Sequence, residues 1–271
     1  MSSVITSVED LITQAPNRNN QQYFTEMWQI LAEVRAKIDQ RFALRLDPSV
    51  KDLDAYGSVD GQTQGHLSAW SGEEIDWMVH SYMGTPSFSF TNMHLTVWLG
   101  PQINVPHFGL ALGTIPDIFC YMDYIARVDL SSDLDYLDLY YEPCNPLFLD
   151  FEGDPAFRPF TSRSLYMRQA QSRTSLCYMA ATEAKNIDRI RMAAHSMIDR
   201  WLGFVDSAQS VPRDAQPALA ARDLTIRRAI SQRDPANALA VKIFGPAQTE
   251  RLVGALWGEY RQSTASGSWE Q

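Results

Sequence analysis

The stretch Phe90-Thr91-Asn92-Met93-His94-Leu95-Thr96-Val97-Trp98-Leu99 alternates strictly over its middle, with Asn92, His94 and Thr96 at one parity and Met93, Leu95 and Val97 at the other. A period of two sends successive side chains to opposite faces, so the segment reads as a strand with one apolar face and one polar face able to line a pocket. Similar runs of β-branched and aromatic residues flank it. Residues 66–70, 75–80, 87–99 and 118–126 are separated by Ser71-Gly72, Gly84-Thr85-Pro86 and Gly100-Pro101, turn material that orders them as consecutive hairpins. Such meanders are antiparallel. Residues 164–167 and 175–178, around Arg168 and Arg173, predict two further strands and a sheet of six or seven.

Outside this block the period changes. Tyr23, Phe24, Met27, Ile30, Leu31, Val34 and Ile38 fall three and four apart, predicting a helix over residues 20–43. The same spacing predicts helices over residues 188–204, 213–233 and 247–260. Strands in the middle with helices at both ends give an α+β fold, helices covering a sheet. The 271 residues, 45% hydrophobic, suit one domain over 1–262, with the Ser-rich residues 263–271 read as a disordered tail.

Composition narrows the function. A net charge of −9 argues against nucleic-acid binding, which needs a basic face. The charge is uneven: residues 1–150 carry −13 and residues 151–271 carry +4, mostly as arginine, so an anionic ligand or acidic partner would meet the C-terminal part. No apolar run of about 18 residues predicts a membrane span, and the N-terminus lacks the pattern of a secretory signal. Cys120, Cys144 and Cys177 form no C-x-x-C pair, which argues against a disulfide framework or metal cage and for a reducing, cytoplasmic location.

Familiar cofactor and hydrolase signatures are missing: there is no G-x-G-x-x-G, no phosphate-binding G-x-x-x-x-G-K-[ST] and no G-x-S-x-G. The five histidines never pair at i, i+4, so no local metal motif exists. His94 sits on the polar face of its strand, which either lines a pocket or meets solvent. His107 stands where a turn leads into a strand and reads as a loop histidine. Asp223, at the start of Asp-Leu-Thr-Ile-Arg-Arg, reads as a helix cap or dipole partner; facing a pocket instead, it could be kept protonated by burial and donate a proton.

Taken in order, Ser71-Gly-Glu-Glu-Ile-Asp-Trp77, Phe90 to Leu99 and Val105-Pro-His-Phe-Gly-Leu-Ala-Leu112 resemble the central sheet of the ferredoxin-dependent bilin reductases. Asp135-Tyr-Leu-Asp-Leu-Tyr-Tyr-Glu142, Ser164-Leu-Tyr-Met-Arg-Gln-Ala170, Arg222-Asp-Leu-Thr-Ile-Arg-Arg228, Ile243-Phe-Gly-Pro246 and Leu256-Trp-Gly258 resemble the red chlorophyll catabolite reductase branch especially. The likeness spans roughly residues 65–260. It implies a three-layer α/β/α sandwich around a mainly antiparallel sheet, with a linear tetrapyrrole between the sheet and the C-terminal helices. It implies no bound flavin, nicotinamide or metal: single electrons come from reduced ferredoxin and protons from side chains, through bilin radicals. By the same resemblance His94 matches the strand histidine that hydrogen-bonds the tetrapyrrole lactam, and Asp223 the carboxylate of the C-terminal helical segment.

One position departs from the family pattern. Where the relatives carry Asp or Glu as a principal proton donor, this chain has Ala111. Three readings follow: Asp223 supplies the proton with His94 or His107, or a different bond is reduced, or the chain carries or senses a tetrapyrrole without reducing it. As an enzyme it would use Asp223, His94 and His107 for chemistry. Asn92 would contact the ligand, and Arg158, Arg163 and Arg173 are available for propionates through charge-assisted hydrogen bonds. The expected partners are a linear tetrapyrrole and ferredoxin, with the chain a monomer or homodimer.

Overall fold

The computed structural model describes residues 17–259, together with a two-residue strand, β1 (Ile5–Thr6). The chain then runs through helix α1 (Gln21–Arg41) and strands β2 (Arg45–Leu46), β3 (Tyr56–Gly57), β4 (Gln64–Ser71), β5 (Ile75–Gly84), β6 (Thr91–Leu99), β7 (His107–Thr114) and β8 (Ile118–Ile125). A crossover carries helices α2 (Leu134–Tyr140) and α3 (Asn145–Glu152). Beyond it lie β9 (Phe157–Pro159), β10 (Thr161–Ser162), helix α4 (Leu165–Ala170), β11 (Leu176–Ala180), and helices α5 (Ala184–Asp206), α6 (Gln216–Arg233), α7 (Ala236–Phe244) and α8 (Pro246–Trp257). The tail at 263–271 lies outside the described residues.

Strands β4 to β8 form the predicted antiparallel meander, extended by β11 and β9 beyond β8 and by β2 and β3 along β4. The sheet therefore has nine strands rather than six or seven. The additions, β2, β3 and β9, are two or three residues long, too short to carry an alternation signal. The predicted strand at 164–167 is instead helix α4, started by Ser164, whose hydroxyl accepts from the Met167 N–H. The predicted strand at 87–99 begins only at Thr91, because a turn with Phe88 at φ 53° precedes it.

The alternation read from β6 separates two layers. Met93, Leu95 and Val97 join Leu110, Leu112 and Met122 beneath α1 and α5, where Ile30, Val34, Ile190 and Trp201 are fully buried. Each such side chain stabilises the fold by about 1.5–3 kcal/mol through burial. Polar ends are tied off: the Trp201 indole donates to the Pro106 carbonyl at 2.8 Å and the Tyr124 hydroxyl to Met197 at 2.7 Å. This face is solid.

On the opposite face Trp77, Val79, Trp98 and Ile125 pack against Ile230, Phe244, Leu252 and Ala255 of α6, α7 and α8. The end of α8 is pinned by Trp77, which donates to the Ala255 carbonyl at 2.9 Å. Its cap, Gly258, has φ 64°, and a Cβ there would sit 2.8 Å from the Trp77 ring, so both backbone and space require glycine. Helices on both faces complete the three-layer α/β/α arrangement.

Candidate functional site

Towards the β6–β7–β8–β11 part of the helix-covered face the sheet offers little bulk. Thr96, Gly109 and Ala111 stand where larger side chains would fill the gap, and a cavity of about 210 Å³ opens there. His94, Asn92 and Tyr121 line its sheet side, Met167 and Gln171 one flank, and Ile230, Asp234 and Trp257 its helical side. A second lobe of about 100 Å³ shares Asn92, His94, Asp234 and Trp257. The walls are mostly apolar with a few converging polar groups, the usual make-up of a small-molecule site.

His94 stands between the two lobes. Burial pushes its imidazole down to about 4, so near neutral pH it is uncharged and offers one donor and one acceptor. Ala111 is its direct cross-strand partner. His94 is therefore flanked on the sheet by a methyl group.

Across the lobes lies Asp234. It follows α6 and precedes Pro235, and its carboxylate accepts from the Ala236 N–H at 2.9 Å, capping α7. Burial raises its pKa, and the single backbone hydrogen bond only partly offsets this. It is the acid of the cavity's helical wall. The Asp-Pro pair announces a cap in the sequence, but nothing local announces that the cap faces a cavity.

A second acid lies just behind the wall. Asp123 of β8 is 1% exposed and accepts hydrogen bonds from Ser172 Oγ at 2.5 Å, the Ser172 N–H at 2.9 Å and the Tyr121 hydroxyl at 3.2 Å. Burial dominates these three donors and pushes it up to about 6. It escaped notice in the sequence because Tyr121 and Asp123 alternate with apolar residues as any half-polar strand does.

Asp223 does not line the cavity. It lies inside α6 rather than at its start, so it caps nothing, and it is 4% exposed. Arg127 grips it with Nη2–Oδ2 at 2.6 Å and Nε–Oδ1 at 3.2 Å, while the same guanidinium donates to the carbonyls of Gly100 and Ile103. His107 approaches it as well. The Leu99 N–H donates to His107 Nδ1 at 3.0 Å, which puts the ring proton on Nε2, 3.1 Å from Asp223 Oδ1 though poorly aligned for a hydrogen bond. Burial alone would raise the Asp223 pKa; His107 and Arg127 outweigh it and hold the carboxyl at about 2. His107 itself is fully buried and pushed down to about 4. Asp223 is thus ionised and clamped, the opposite of a protonated acid facing a pocket.

Of the three arginines, Arg163 lines the cavity. Arg158 is exposed and 3.2 Å from Asp117, and Arg173 is exposed on the loop before β11; neither lines it. The structure therefore gathers His94, Asn92 and Arg163 and leaves His107, Asp223, Arg158 and Arg173 elsewhere.

Comparison with known proteins agrees with this architecture. The family model of red chlorophyll catabolite reductase (RCC reductase) matches residues 27–257. A curated protein from Oryza sativa subsp. japonica, red chlorophyll catabolite reductase 1, chloroplastic, is 24% identical over 240 residues, covering 80% of this chain and 73% of its own. Among solved structures, phytochromobilin synthase from tomato, crystallised in complex with biliverdin, superposes with a TM-score of 0.75 at 13% identity, covering 85% of this chain and 82% of that one.

Proposed function

The chain belongs to the red chlorophyll catabolite reductase family, and from that premise we propose that it binds a linear tetrapyrrole in the cavity beneath α6–α8 and reduces it with electrons from reduced ferredoxin. The observation that carries the reading is the cavity itself: an apolar, two-lobed space with a neutral histidine and a half-buried acid on opposing walls. His94, uncharged, suits a hydrogen bond to a lactam, which both donates and accepts. Asp234, with its raised pKa, is the side chain best prepared to hand a proton to a reduced pigment, as general acids are tuned to do. Arg163 at the cavity is suited to a propionate.

Under this reading Asp223 positions α6 through Arg127 and transfers no proton. The chain binds no resident cofactor and works in the cytoplasm, where its three buried free thiols are kept reduced.

A second reading, a tetrapyrrole carrier or sensor, is favoured by one feature, the methyl group of Ala111 beside His94. Anaerobic incubation with biliverdin and photoreduced ferredoxin separates the two. The enzyme gives new absorbance bands that require both ferredoxin and protein. A shifted but static bilin spectrum assigns the carrier, and no shift at all removes both.

A further inference from the structure

Four hydroxyl- or carboxyl-bearing side chains run in contact from the loop before β11 to the cavity. Thr174 Oγ1 lies 3.3 Å from Ser172 Oγ, Ser172 Oγ donates to Asp123 Oδ1 at 2.5 Å, and the Tyr121 hydroxyl donates to Asp123 Oδ2 at 3.2 Å. Thr174 and Ser172 are partly exposed, Asp123 is buried, and Tyr121 lines the cavity. The chain thus links a half-open loop to the ligand wall through groups that can each accept and pass a proton.

We propose that Tyr121 delivers a proton to the ligand in the cavity, with Asp123 as the positioning acid behind it and Ser172 and Thr174 as its route of resupply. This rests on the cavity being the tetrapyrrole site. With Asp123 ionised, the Tyr121 hydroxyl is spent on the carboxylate. Once Asp123 is protonated its O–H donates to the phenol oxygen, and the phenol O–H is released towards the cavity. In the transfer, the Tyr121 O–H bond breaks as its proton joins a basic atom of the ligand, and the Asp123 proton re-forms the phenol. Asp123 ends as a carboxylate, one proton has moved and no electron has.

The surroundings favour a carboxyl that titrates near neutrality. Among the described residues, Tyr121 on its own strand, Cys177 on β11, and Tyr141 and Cys144 beyond are titratable groups that interact with Asp123, and across β7 its register partner is Gly109. Burial raises the pKa of all four, Cys177 to about 12 and Cys144 to about 11, so each stays neutral while Asp123 titrates. The leading influences on Asp123 are burial and its hydroxyl and backbone donors, whereas at Asp223 His107 and Arg127 outweigh burial.

The test titrates bound biliverdin by absorbance from pH 5 to pH 8, without ferredoxin, in the parent, Asp123→Asn and Tyr121→Phe. The relay gives the parent a spectral transition centred at about 6 that both variants lose while still binding pigment. In single turnovers with photoreduced ferredoxin, Tyr121→Phe then slows pigment protonation by about 10–100-fold, at or below the usual worth of a positioned acid, and flattens its pH profile. A merely structural Asp123 would leave the midpoint in place. An unchanged transition and pH profile in both variants overturns the relay while leaving the tetrapyrrole reading intact. Failure of the parent to bind biliverdin overturns both.

Discussion

Along one face of the sheet the protein buries aspartates in two contrasting ways. At one end Asp223 sits between Arg127 and His107, gripped by two guanidinium nitrogens at 2.6 and 3.2 Å and held ionised. At the other, the half-buried Asp234 accepts from a backbone N–H and the buried Asp123 from hydroxyls and a backbone N–H, and burial raises both. Both ends remove carboxyls from water; a neighbouring cation decides the sign of the shift. The lesson is a division of labour, in which the ion-paired end holds α6 to the sheet and the unpaired end keeps acids that can give up protons.

The largest expected effect tests that division directly. Asp234→Asn keeps size and the cap to Ala236 but removes the titratable proton, so turnover should fall by about 10²–10⁴-fold with pigment binding retained. Asp223→Asn, by contrast, should lower stability and leave the chemical step of the folded fraction near the parent rate. Single-turnover absorbance on samples matched for folded content separates the two, and a reversed pattern would undo the assignment of roles.

Next in size is the ion pair. Arg127→Met strands the Asp223 carboxylate in a buried site and should cost about 3–5 kcal/mol in chemical denaturation, the range seen when one partner of a buried pair is removed. Replacing both, as Arg127→Met with Asp223→Leu, should recover much of that loss. If the single and double variants are equally unstable, the site acts by packing rather than by charge pairing.

The two ends should also answer pH in opposite directions. Asp223 titrates at about 2 in the fold against an ordinary 3.8, so it adds about 2 kcal/mol that is present above pH 4 and lost as pH falls towards 2. His107, lowered to about 4 from 6.5, adds to the loss on acidification between those values. Asp123 is raised from 3.8 to about 6, so its ionisation opposes folding by about 3 kcal/mol at neutral pH, a penalty that fades as pH falls from 6 to 4. The stability of Asp123→Asn relative to the parent should therefore be better at pH 8 than at pH 5. A difference independent of pH would mean that Asp123 is not raised.

How much of this was legible in the sequence follows from which forces are local. The alternation in β6 fixes which side chains share a face, and that was enough to put His94 and Asn92 together, though not to tell whether their face met a pocket or solvent. Helix periodicity located α1, α5 and α6 for the same reason. Acid roles are not local. Asp223 and Asp234 lie eleven residues apart on either side of the same helix end, and neither spacing nor composition tells which meets Arg127, a residue 96 positions from Asp223. Asp123 acquires its environment from Ser172, 49 positions away. The arginines depend on distant pairing too: Arg158 sits on β9, three residues long, and Arg173 on the loop before β11, so where each lies is set by how those strands join the sheet.

The smallest expected effect concerns those arginines. Arg163 lines the cavity yet keeps contact with solvent, and an exposed charge pair contributes only about 0.2–1 kcal/mol after screening. Arg163→Gln should therefore weaken a propionate-bearing pigment by up to about fivefold, and the loss should shrink as salt rises because the pair is screened over about 8–10 Å at ordinary ionic strength. Arg158→Gln and Arg173→Gln, which remove charge from the same half of the chain without touching the cavity, should leave the affinity unchanged. Fluorescence titration with biliverdin and with its dimethyl ester gives the sharper version: esterification removes the carboxylates, so the parent and Arg163→Gln should then bind equally. If all three substitutions weaken binding alike, the pigment responds to the positive charge of the C-terminal part as a whole, and Arg163 makes no specific contact with it.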